Sequence, residues 1–187
     1  MRSRILENAG VNHICDPAGI DERAIKQQLL DDGAGVETSA LFLAQAKVAD
    51  VAGRHPDSYV VGADQILECG GRWFDKPEDP AAARETLMAL RGREHQLVNG
   101  VTVDLNGDEV WQHLETASLT MRPVSDAFIE TYIAEESPDI LASVGAYRLE
   151  QRGAQLFERI EGDYFTILGL PLLALLEFLR ASGVLRE

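Results

Sequence analysis

The sequence predicts a single α/β domain of 187 residues, and three observations support this fold class. Apolar runs typical of strands alternate along the chain with amphipathic segments typical of helices. A hydrophobic content of 45% is enough to form a sizeable core in one domain of this length. The sequence contains no internal repeat, linker or low-complexity tract that would divide it. We therefore expect residues 1–187 to fold as one unit.

Caps, helix breakers and apolar periodicity predict the elements that precede residue 58. In chain order they are a short helix over residues 2–9, a short strand over 13–15, a helix over 21–30, and a longer helix that Thr38 or Ser39 caps and that continues to about residue 51. The apolar stripe of the longer helix includes Ala44 and Val48, and Lys47 lies beside that stripe.

The second half of the chain begins with a strand at Tyr59-Val60-Val61, whose apolar β-formers indicate burial on both faces. Gly70-Gly71 predicts a hairpin turn after it, and Asn106-Gly107 predicts a second hairpin. The remaining predicted elements are a helix over residues 80–91, strands over 96–105 and 109–121, a helix from Ser125 to residue 134, a strand over 164–168 and a final helix that starts near Pro171.

The charge balance limits the kinds of partner that the protein can bind. A formal net charge of −14 argues against binding to DNA, RNA or acidic membranes, and an anionic substrate would need a local cluster of Lys and Arg. Two cysteines, Cys15 and Cys69, are too few for a disulfide framework and fit a reducing cytoplasm. The N-terminus has no signal-peptide pattern, and the apolar segment over residues 164–175 is too short to span a bilayer. We expect a cytoplasmic protein with a small-molecule partner.

Four charged residues stand where a surface role is not the obvious explanation: Glu22, Lys47, Asp64 and Lys76. Asp64 ends the buried strand, where a carboxylate is costly to desolvate unless it holds a metal or accepts hydrogen bonds. Phosphate-ester chemistry uses carboxylates to hold a hard cation such as Mg²⁺ and cationic side chains to hold phosphate oxygens. Two acids and two lysines fit that requirement. The sequence has no phosphate-binding Gly-x-x-x-x-Gly-Lys loop and no dinucleotide-binding Gly-x-Gly-x-x-Gly motif.

Each of these residues also has a purely structural interpretation. Asp64 can be a strand-end hydrogen-bond acceptor, and Glu22 can be an acid that caps its helix. Lys47 can extend its ammonium from the edge of a core face, and Lys76 can be an exposed hairpin lysine. The residues alone support a soluble α/β domain and leave a phosphate-handling enzyme as one option.

The order of short motifs resembles the Maf family of nucleoside triphosphate pyrophosphatases over nearly the whole chain. Each motif is weak alone, and their common order makes the resemblance specific. The matching segments are Arg2-Ser3-Arg4-Ile5-Leu6, Asp21-Glu22, Leu43-Ala44-Gln45-Ala46-Lys47, Gly62-Ala63-Asp64-Gln65, Asp75-Lys76-Pro77, Gly145-Ala146-Tyr147, Glu161-Gly162-Asp163-Tyr164 and Gly169-Leu170-Pro171-Leu172.

The resemblance implies an elongated α/β/α protein with a central mixed sheet and a cleft. It implies hydrolysis of a nucleoside triphosphate to the monophosphate and pyrophosphate, with a divalent cation, Mg²⁺ or Mn²⁺. It also implies roles for individual residues. Asp64 would activate water or bind the cation, Glu22 would help to bind the cation, and Lys47 and Lys76 would hold the triphosphate. Arg2 would add a phosphate contact, although it can also be a surface helix residue.

Two positions bear on which nucleotide is used. Pyrimidine-preferring members of the family carry threonine and glutamine where this chain has Gln65 and Glu150, and the pair resembles the branch that acts on 7-methyl-GTP. A carboxylate can accept both N–H donors of the guanine edge and favours a cationic base. Glu150 can equally be a solvent-facing loop acid. The alternatives are a dTTP or UTP pyrophosphatase, a pyrophosphatase of the inosine-triphosphate type, and a non-catalytic nucleotide-binding regulator of cell division.

The chain begins inside the family's opening Leu-Ala-Ser-x-Ser-x-x-Arg motif, so it lacks the family's first strand and phosphate-binding serine. We hypothesise that Met1 is an internal methionine of a longer natural protein or the start of a truncated form, which mass spectrometry of the native protein would test. A homodimer is expected only by analogy with the family.

Overall fold

The computed structural model of the protein describes residues 1–186, which form helices and one β-sheet. In chain order the elements are α1 (Arg2–Asn8), α2 (Glu22–Asp31), α3 (Val36–Ala52), β1 (Tyr59–Cys69), β2 (Arg72–Phe74), α4 (Pro80–Leu90), β3 (Glu94–Leu105), β4 (Asp108–Met121), α5 (Asp126–Glu136), two 3₁₀ helices (Asp139–Ala142 and Arg152–Leu156), β5 (Phe157–Glu161), α6 (Tyr164–Ile167) and α7 (Leu172–Ala181).

The five strands lie in the order β2-β1-β3-β4-β5, and neighbouring strands run antiparallel. Asn106-Gly107 joins β3 to β4 as a two-residue turn, which permits only an antiparallel pair. Between β1 and β3, Gln65 contacts Asn99 while Cys69 contacts Glu94, so the numbering rises on one strand as it falls on the other. The α/β class is confirmed, and the sheet is antiparallel where the resemblance implied a mixed one.

The chain divides into two compact units, each with its own buried side chains. The first unit comprises Met1–Gln65, Val98–Thr116 and the described residues from Asp163 onward; the second comprises Ile66–Leu97 and Ala117–Gly162. The core of the first unit is formed by buried aliphatic residues of α1, β1, β3 and α7 and of the segments that follow α1 and precede α7: Ile5, Val11, Ala63, Val101, Val103, Leu170, Leu172, Leu175 and Leu179. In the second unit, the packed helices α4 and α5 bury Leu87, Leu90 and Ile129.

Helix α3 packs directly on β1 and β3 in the first unit because two glycines leave room for its backbone. A methyl group at Gly62 would lie 2.5 Å from the Ala44 carbonyl oxygen, and one at Gly100 would lie 2.5 Å from the Ala40 carbonyl oxygen. Any larger residue at either position would therefore push the helix away from the sheet. This close packing fixes the height of the α3 side chains above β1.

Most predicted elements are confirmed, including the helix ended by Gly10, both hairpins and the helices capped by Asp79 and Ser125. Four predictions are wrong. Asp64 lies in the middle of β1 rather than at the end of a strand, because the strand continues to Cys69. Residues 13–15 form no strand, α3 begins at Val36 rather than near Thr38, and residues 164–167 form a helical turn rather than a strand. The Asp163 carboxylate accepts hydrogen bonds from the backbone of Phe165 and Thr166, and this cap starts a helix where the apolar composition favoured a strand.

Within residues 1–186, no helix combines the length and the apolar character that crossing a bilayer requires. Both cysteines are free thiols: Cys15 is exposed, while Cys69 is buried. Burial raises the pKa of the Cys69 thiol, so that thiol stays protonated at neutral pH.

Candidate active site

Strand β1 and helix α3 together place Lys47 beside Asp64. Side chains two residues apart in a strand share a face, so Gly62 and Asp64 both face α3. Gly62 lies against Ala44 and Val48 of that helix. Lys47 lies within the same turn of α3, and its side chain reaches the carboxylate of Asp64, which lies in the middle of β1.

Lys47 forms ion pairs with two carboxylates at once. Its Nζ donates a hydrogen bond to Asp64 Oδ1 at 2.6 Å and lies 2.8 Å from Glu22 Oε2. The Asp64 side chain is 9% exposed, the Lys47 side chain 15% and the Glu22 side chain 54%. The group thus runs from the protein interior to solvent, with the ammonium in the middle.

Glu22 is available to pair with Lys47 because its neighbour Asp21 caps α2. Glu22 is the first residue of α2, and the Asp21 carboxylate accepts the capping hydrogen bond from the Ala24 backbone at 3.0 Å. Of the two readings that the sequence left open for Glu22, the capping role therefore falls to Asp21. The Glu22 side chain instead points to Lys47.

Arg2 approaches the same carboxylates from α1. Its Nε donates a hydrogen bond to the Gly169 carbonyl oxygen at 2.7 Å, and the side chain is half-buried. Burial lowers the pKa of the Arg2 guanidinium, while the negative charges of Asp64 and Glu22 act to raise it. Arginine remains protonated at neutral pH, so Arg2 adds a second positive charge to the group.

Gln65 follows Asp64 but projects from the opposite face of β1. Its Nε2 lies 3.1 Å from the Thr166 carbonyl oxygen, 3.3 Å from that of Ile167 and 3.2 Å from Asn99 Oδ1. Gln65 is therefore hydrogen-bonded to the C-terminal end of α6 and to β3, rather than to the residues around Lys47.

The other two sequence-predicted residues belong to the second unit. Lys76 is exposed just after β2, where the hairpin returns. Glu150 is only 15% exposed, and its Oε1 accepts a hydrogen bond from Arg148 Nε at 3.1 Å. Glu150 is thus a paired and largely buried acid, which does not fit a solvent-facing loop position. As substrate-binding residues, Lys76 and Glu150 stay predictions.

The oxygen donors near Lys47 suit a hard cation that keeps part of its water shell. Among residues 1–186, no three acidic, His or Cys side chains cluster as a complete metal cage. Mg²⁺ usually takes only one or two protein carboxylates, its other ligands being waters and substrate phosphate oxygens. Asp64 and Glu22 share one ammonium as their partner, so little more than the width of that group separates their carboxylates. Binding of Mg²⁺ or Mn²⁺ by Asp64 and Glu22 stays a prediction.

Comparison with known proteins assigns the chain to a family. A family model described as Maf-like protein matches residues 1–182. The chain belongs to the Maf family. It is 46% identical over 184 residues to a protein of Paramagnetospirillum magneticum named nucleoside triphosphate pyrophosphatase, which covers 98% of this chain and 95% of the relative.

Two further relatives are similar to this chain over nearly its whole length. A nucleoside triphosphate pyrophosphatase of Granulibacter bethesdensis is 48% identical over 184 residues, covering 98% of this chain and 93% of the relative. A 7-methyl-GTP pyrophosphatase of Rhizobium meliloti is 48% identical over 184 residues, covering 98% of this chain and 92% of the relative. The resemblance drawn from the motifs is thus confirmed.

Sequence reasoning missed Asn99 in this Maf-family chain. Asn99 is fully buried in β3 and accepts a hydrogen bond from Gln65. A signal was present, because an amide in the middle of the apolar run Leu97-Val98-Asn99-Gly100-Val101 must find hydrogen-bond partners when it is buried. The sequence did not indicate which partner it would find.

Proposed function

We propose that this protein hydrolyses a nucleoside triphosphate to the monophosphate and pyrophosphate, with Asp64 at the reacting centre. The observation that carries the proposal is the ion-paired group of Glu22 on α2, Lys47 on α3 and Asp64 on β1. It occurs in a chain that belongs to the Maf family. A largely buried carboxylate beside a cationic side chain, in a group that reaches solvent, suits phosphate hydrolysis.

In this mechanism Asp64 is the general base. Its carboxylate accepts a proton from a water molecule whose oxygen attacks the α-phosphorus. A new bond forms between that oxygen and phosphorus, and the bond from the α-phosphorus to the bridging oxygen breaks. Pyrophosphate leaves with the electron pair of that bond, and the proton on Asp64 passes to solvent.

The cationic side chains hold the phosphate oxygens during this step. An ammonium has three N–H donors, and Asp64 and Glu22 engage Lys47 through two of them, so a third is available for a phosphate oxygen. Arg2 adds a guanidinium in the field of the same carboxylates. A divalent cation held by Asp64 and Glu22 would neutralise charge on the phosphate oxygens. These local charges oppose the net charge of −14.

Among nucleotides, we propose 7-methyl-GTP as a substrate. Support comes from relatives at 46–48% identity that carry this name, including proteins of Rhizobium meliloti and Mesorhizobium japonicum. A contact of Glu150 with the base stays a prediction from the sequence, because a carboxylate can accept the N–H donors of a guanine edge and favours a base that methylation makes cationic. We also place the protein in the cytoplasm, where nucleoside triphosphates are formed. The homodimer stays a prediction that sedimentation would test.

An assay of pyrophosphate release over a panel of nucleotides tests the proposal. The panel contains 7-methyl-GTP, GTP, dTTP, UTP and ITP, each measured with Mg²⁺, with Mn²⁺ and after chelation. We expect 7-methyl-GTP to be turned over fastest and chelation to abolish activity. Faster turnover of dTTP or UTP would replace the proposed substrate with a pyrimidine nucleotide. Binding without release of pyrophosphate from any nucleotide would favour the regulatory alternative.

Replacing Asp64 tests its assignment as the base. We expect Asp64→Asn to lower kcat by on the order of 10²-fold or more, because the amide cannot accept the proton from water. The exposed Asp108 of β4 provides a matched control, and Asp108→Asn is expected to leave kcat unchanged. A near-normal rate for the Asp64 variant would contradict the assignment.

A further inference from the structure

Backbone carbonyls at the C-terminal end of α6 and in the turn that follows it lie within hydrogen-bond distance of side chains from other elements. The Thr166 oxygen also accepts a hydrogen bond from the Gly169 backbone at 3.0 Å. The last carbonyls of a helix have no hydrogen-bond partner in the next helical turn. When they are buried, other parts of the protein donate hydrogen bonds to them. Here Gln65 Nε2 lies within hydrogen-bond distance of the Thr166 and Ile167 oxygens, and Arg2 Nε donates to the Gly169 oxygen. One short turn therefore binds both Gln65 and Arg2.

The contacts of Gln65 determine which way its amide points. Backbone carbonyls only accept hydrogen bonds, so the atom facing Thr166 and Ile167 must be the amide nitrogen. Asn99 Oδ1 is a third acceptor at 3.2 Å, and Asn99 is fully buried. The two N–H groups of Gln65 are thus shared among three acceptors within the protein. They are not available to a substrate.

The turn after α6 brings Gln65 and Arg2 together at Gly169. Gly169 has φ +96°, a conformation that favours glycine, and a methyl group there would lie 3.7 Å from Arg2 Nε and 3.8 Å from Gln65 Oε1. Any displacement of this turn would therefore move the carbonyl that holds the Arg2 guanidinium. That guanidinium is the one influenced by the charges of Asp64 and Glu22.

We infer that Gln65 is a positioning residue that acts through Arg2 and does not read the nucleotide base. By holding the α6 turn, it fixes the Gly169 carbonyl and so places the Arg2 guanidinium where it can bind phosphate. This inference rests on the proposed function for the role of Arg2. It differs from the sequence-based expectation that Gln65 contacts the base.

Inorganic tripolyphosphate is the probe that separates the two roles, because it has a phosphate tail and no base. Its dissociation constant is measured by calorimetry for wild type, Gln65→Met, Arg2→Met and the double variant. We expect each single variant to weaken binding by about tenfold, and the double variant to bind no more than about twofold more weakly than Arg2→Met alone, because coupled residues give non-additive effects. The exposed Gln112 of β4 gives a matched control, Gln112→Met, with wild-type binding.

Other results would overturn the inference. Tripolyphosphate binding by Gln65→Met that equals wild type, while Arg2→Met is impaired, would show that Gln65 does not act through Arg2. Losses of affinity that multiply fully in the double variant would also show that Gln65 does not act through Arg2. A wild-type protein that does not bind tripolyphosphate would overturn the inference as well. If the cycle behaves as expected but no nucleotide is hydrolysed, the proposed function fails and the positioning role stands.

Three further measurements guard against a folding defect and a selectivity role. Thermal melting of each variant shows whether it folds, and Gln65→His, which retains one N–H donor, is expected to bind tripolyphosphate within about threefold of wild type. In the nucleotide panel, Gln65→Met is expected to change kcat and KM in the same pattern as Arg2→Met and to leave the order of substrates unchanged. A reversed order of substrates would assign Gln65 to the base.

Discussion

The Lys47 ammonium compensates the charge of Asp64, whose side chain is 9% exposed. Removing one partner of such a pair leaves an uncompensated carboxylate away from water, which is strongly destabilising. We expect Lys47→Met to lower the free energy of unfolding by about 2 kcal/mol, a value reduced from that of fully buried pairs because Glu22 is exposed and the site opens to solvent. Urea denaturation measures the change.

The matched control removes the charge of Asp64 as well. In the double variant Lys47→Met with Asp64→Asn no carboxylate is left unpaired at residue 64, so we expect about half of the lost stability to return. Pyrophosphate release should stay lost, since both groups act in the proposed reaction. A double variant no more stable than Lys47→Met would contradict the ion-pair explanation.

His95, in the second unit, makes the free energy of unfolding depend on pH. It is 1% exposed, its Nε2 lies 2.8 Å from the Tyr147 hydroxyl, and no hydrogen-bond partner is seen for Nδ1 among residues 1–186. Burial lowers the pKa of His95 from 6.5 to about 4. Between these two values the unfolded chain binds a proton that the folded protein does not, so the free energy of unfolding falls as pH falls.

We expect His95 to account for about 2 kcal/mol of the stability lost between pH 7 and pH 5. The measurement is the difference between wild type and His95→Gln in urea denaturation at the two pH values. Glutamine keeps a polar partner for the Tyr147 hydroxyl and does not titrate in this range. Parallel loss of stability in both proteins would assign the pH dependence to other groups.

For single residues, sequence reasoning worked where the side chain's chemistry and its place in an element sufficed. Asp64 and Lys47 were named together from their chemistry, and their side chains form an ion pair, although Asp64 lies in the middle of β1 rather than at the end of a strand. Gln65 was assigned to the substrate because the family resemblance implied that its position bears on which nucleotide is used. The pleat of β1 instead turns it toward Thr166 and Asn99, a partner set that depends on the tertiary packing of α6.

Among the elements, α3 can pack closely on β1 because Gly62 has no side chain. Adding a methyl group there would place it 2.5 Å from both the Ala44 oxygen and Val48 Cγ2. We expect Gly62→Ala to lower the free energy of unfolding by about 2 kcal/mol, because overpacking forces the helix outward. Activity should fall further than stability explains, since the same shift moves Lys47 away from Asp64.

Gly53 provides the matched control for this substitution. It ends α3 with φ −63° and ψ −16°, and a methyl group there would meet no atom within 4 Å. Gly53→Ala is therefore expected to leave both the urea midpoint and kcat near wild type. If Gly62→Ala behaves like Gly53→Ala, the close contact of helix and strand does not position the site.

The elements themselves were predictable to different degrees for physical reasons. Local signals decide the hairpins at Gly70-Gly71 and Asn106-Gly107, and both are confirmed. Strand β5 was missed because its residues, Phe157–Glu161, are mostly exposed and lack the alternation that predicts a strand. It exists because its backbone pairs with β4, which is a non-local contact.

For the whole molecule, the α/β class followed from the alternation of elements, and the antiparallel direction of the sheet did not. Motif order identified the family without any information on strand pairing, and the family model confirms it over residues 1–182. The pairing of β1 with β3 spans 25 residues or more along the chain, as the Cys69–Glu94 contact shows. Contacts between residues so far apart leave no local pattern to read.

The net charge of −14 predicts how salt affects an anionic substrate. At low ionic strength the protein as a whole repels a triphosphate, and the positive charge of Lys47 is already compensated by two carboxylates. Salt screens long-range repulsion more than it screens contacts in a partly buried site. We therefore expect kcat/KM to rise by about two- to threefold as KCl increases from about 20 mM to about 200 mM at constant excess Mg²⁺. A steep fall would show that local cations dominate the approach of substrate; Lys76→Gln, which removes an exposed cation, would then flatten that fall.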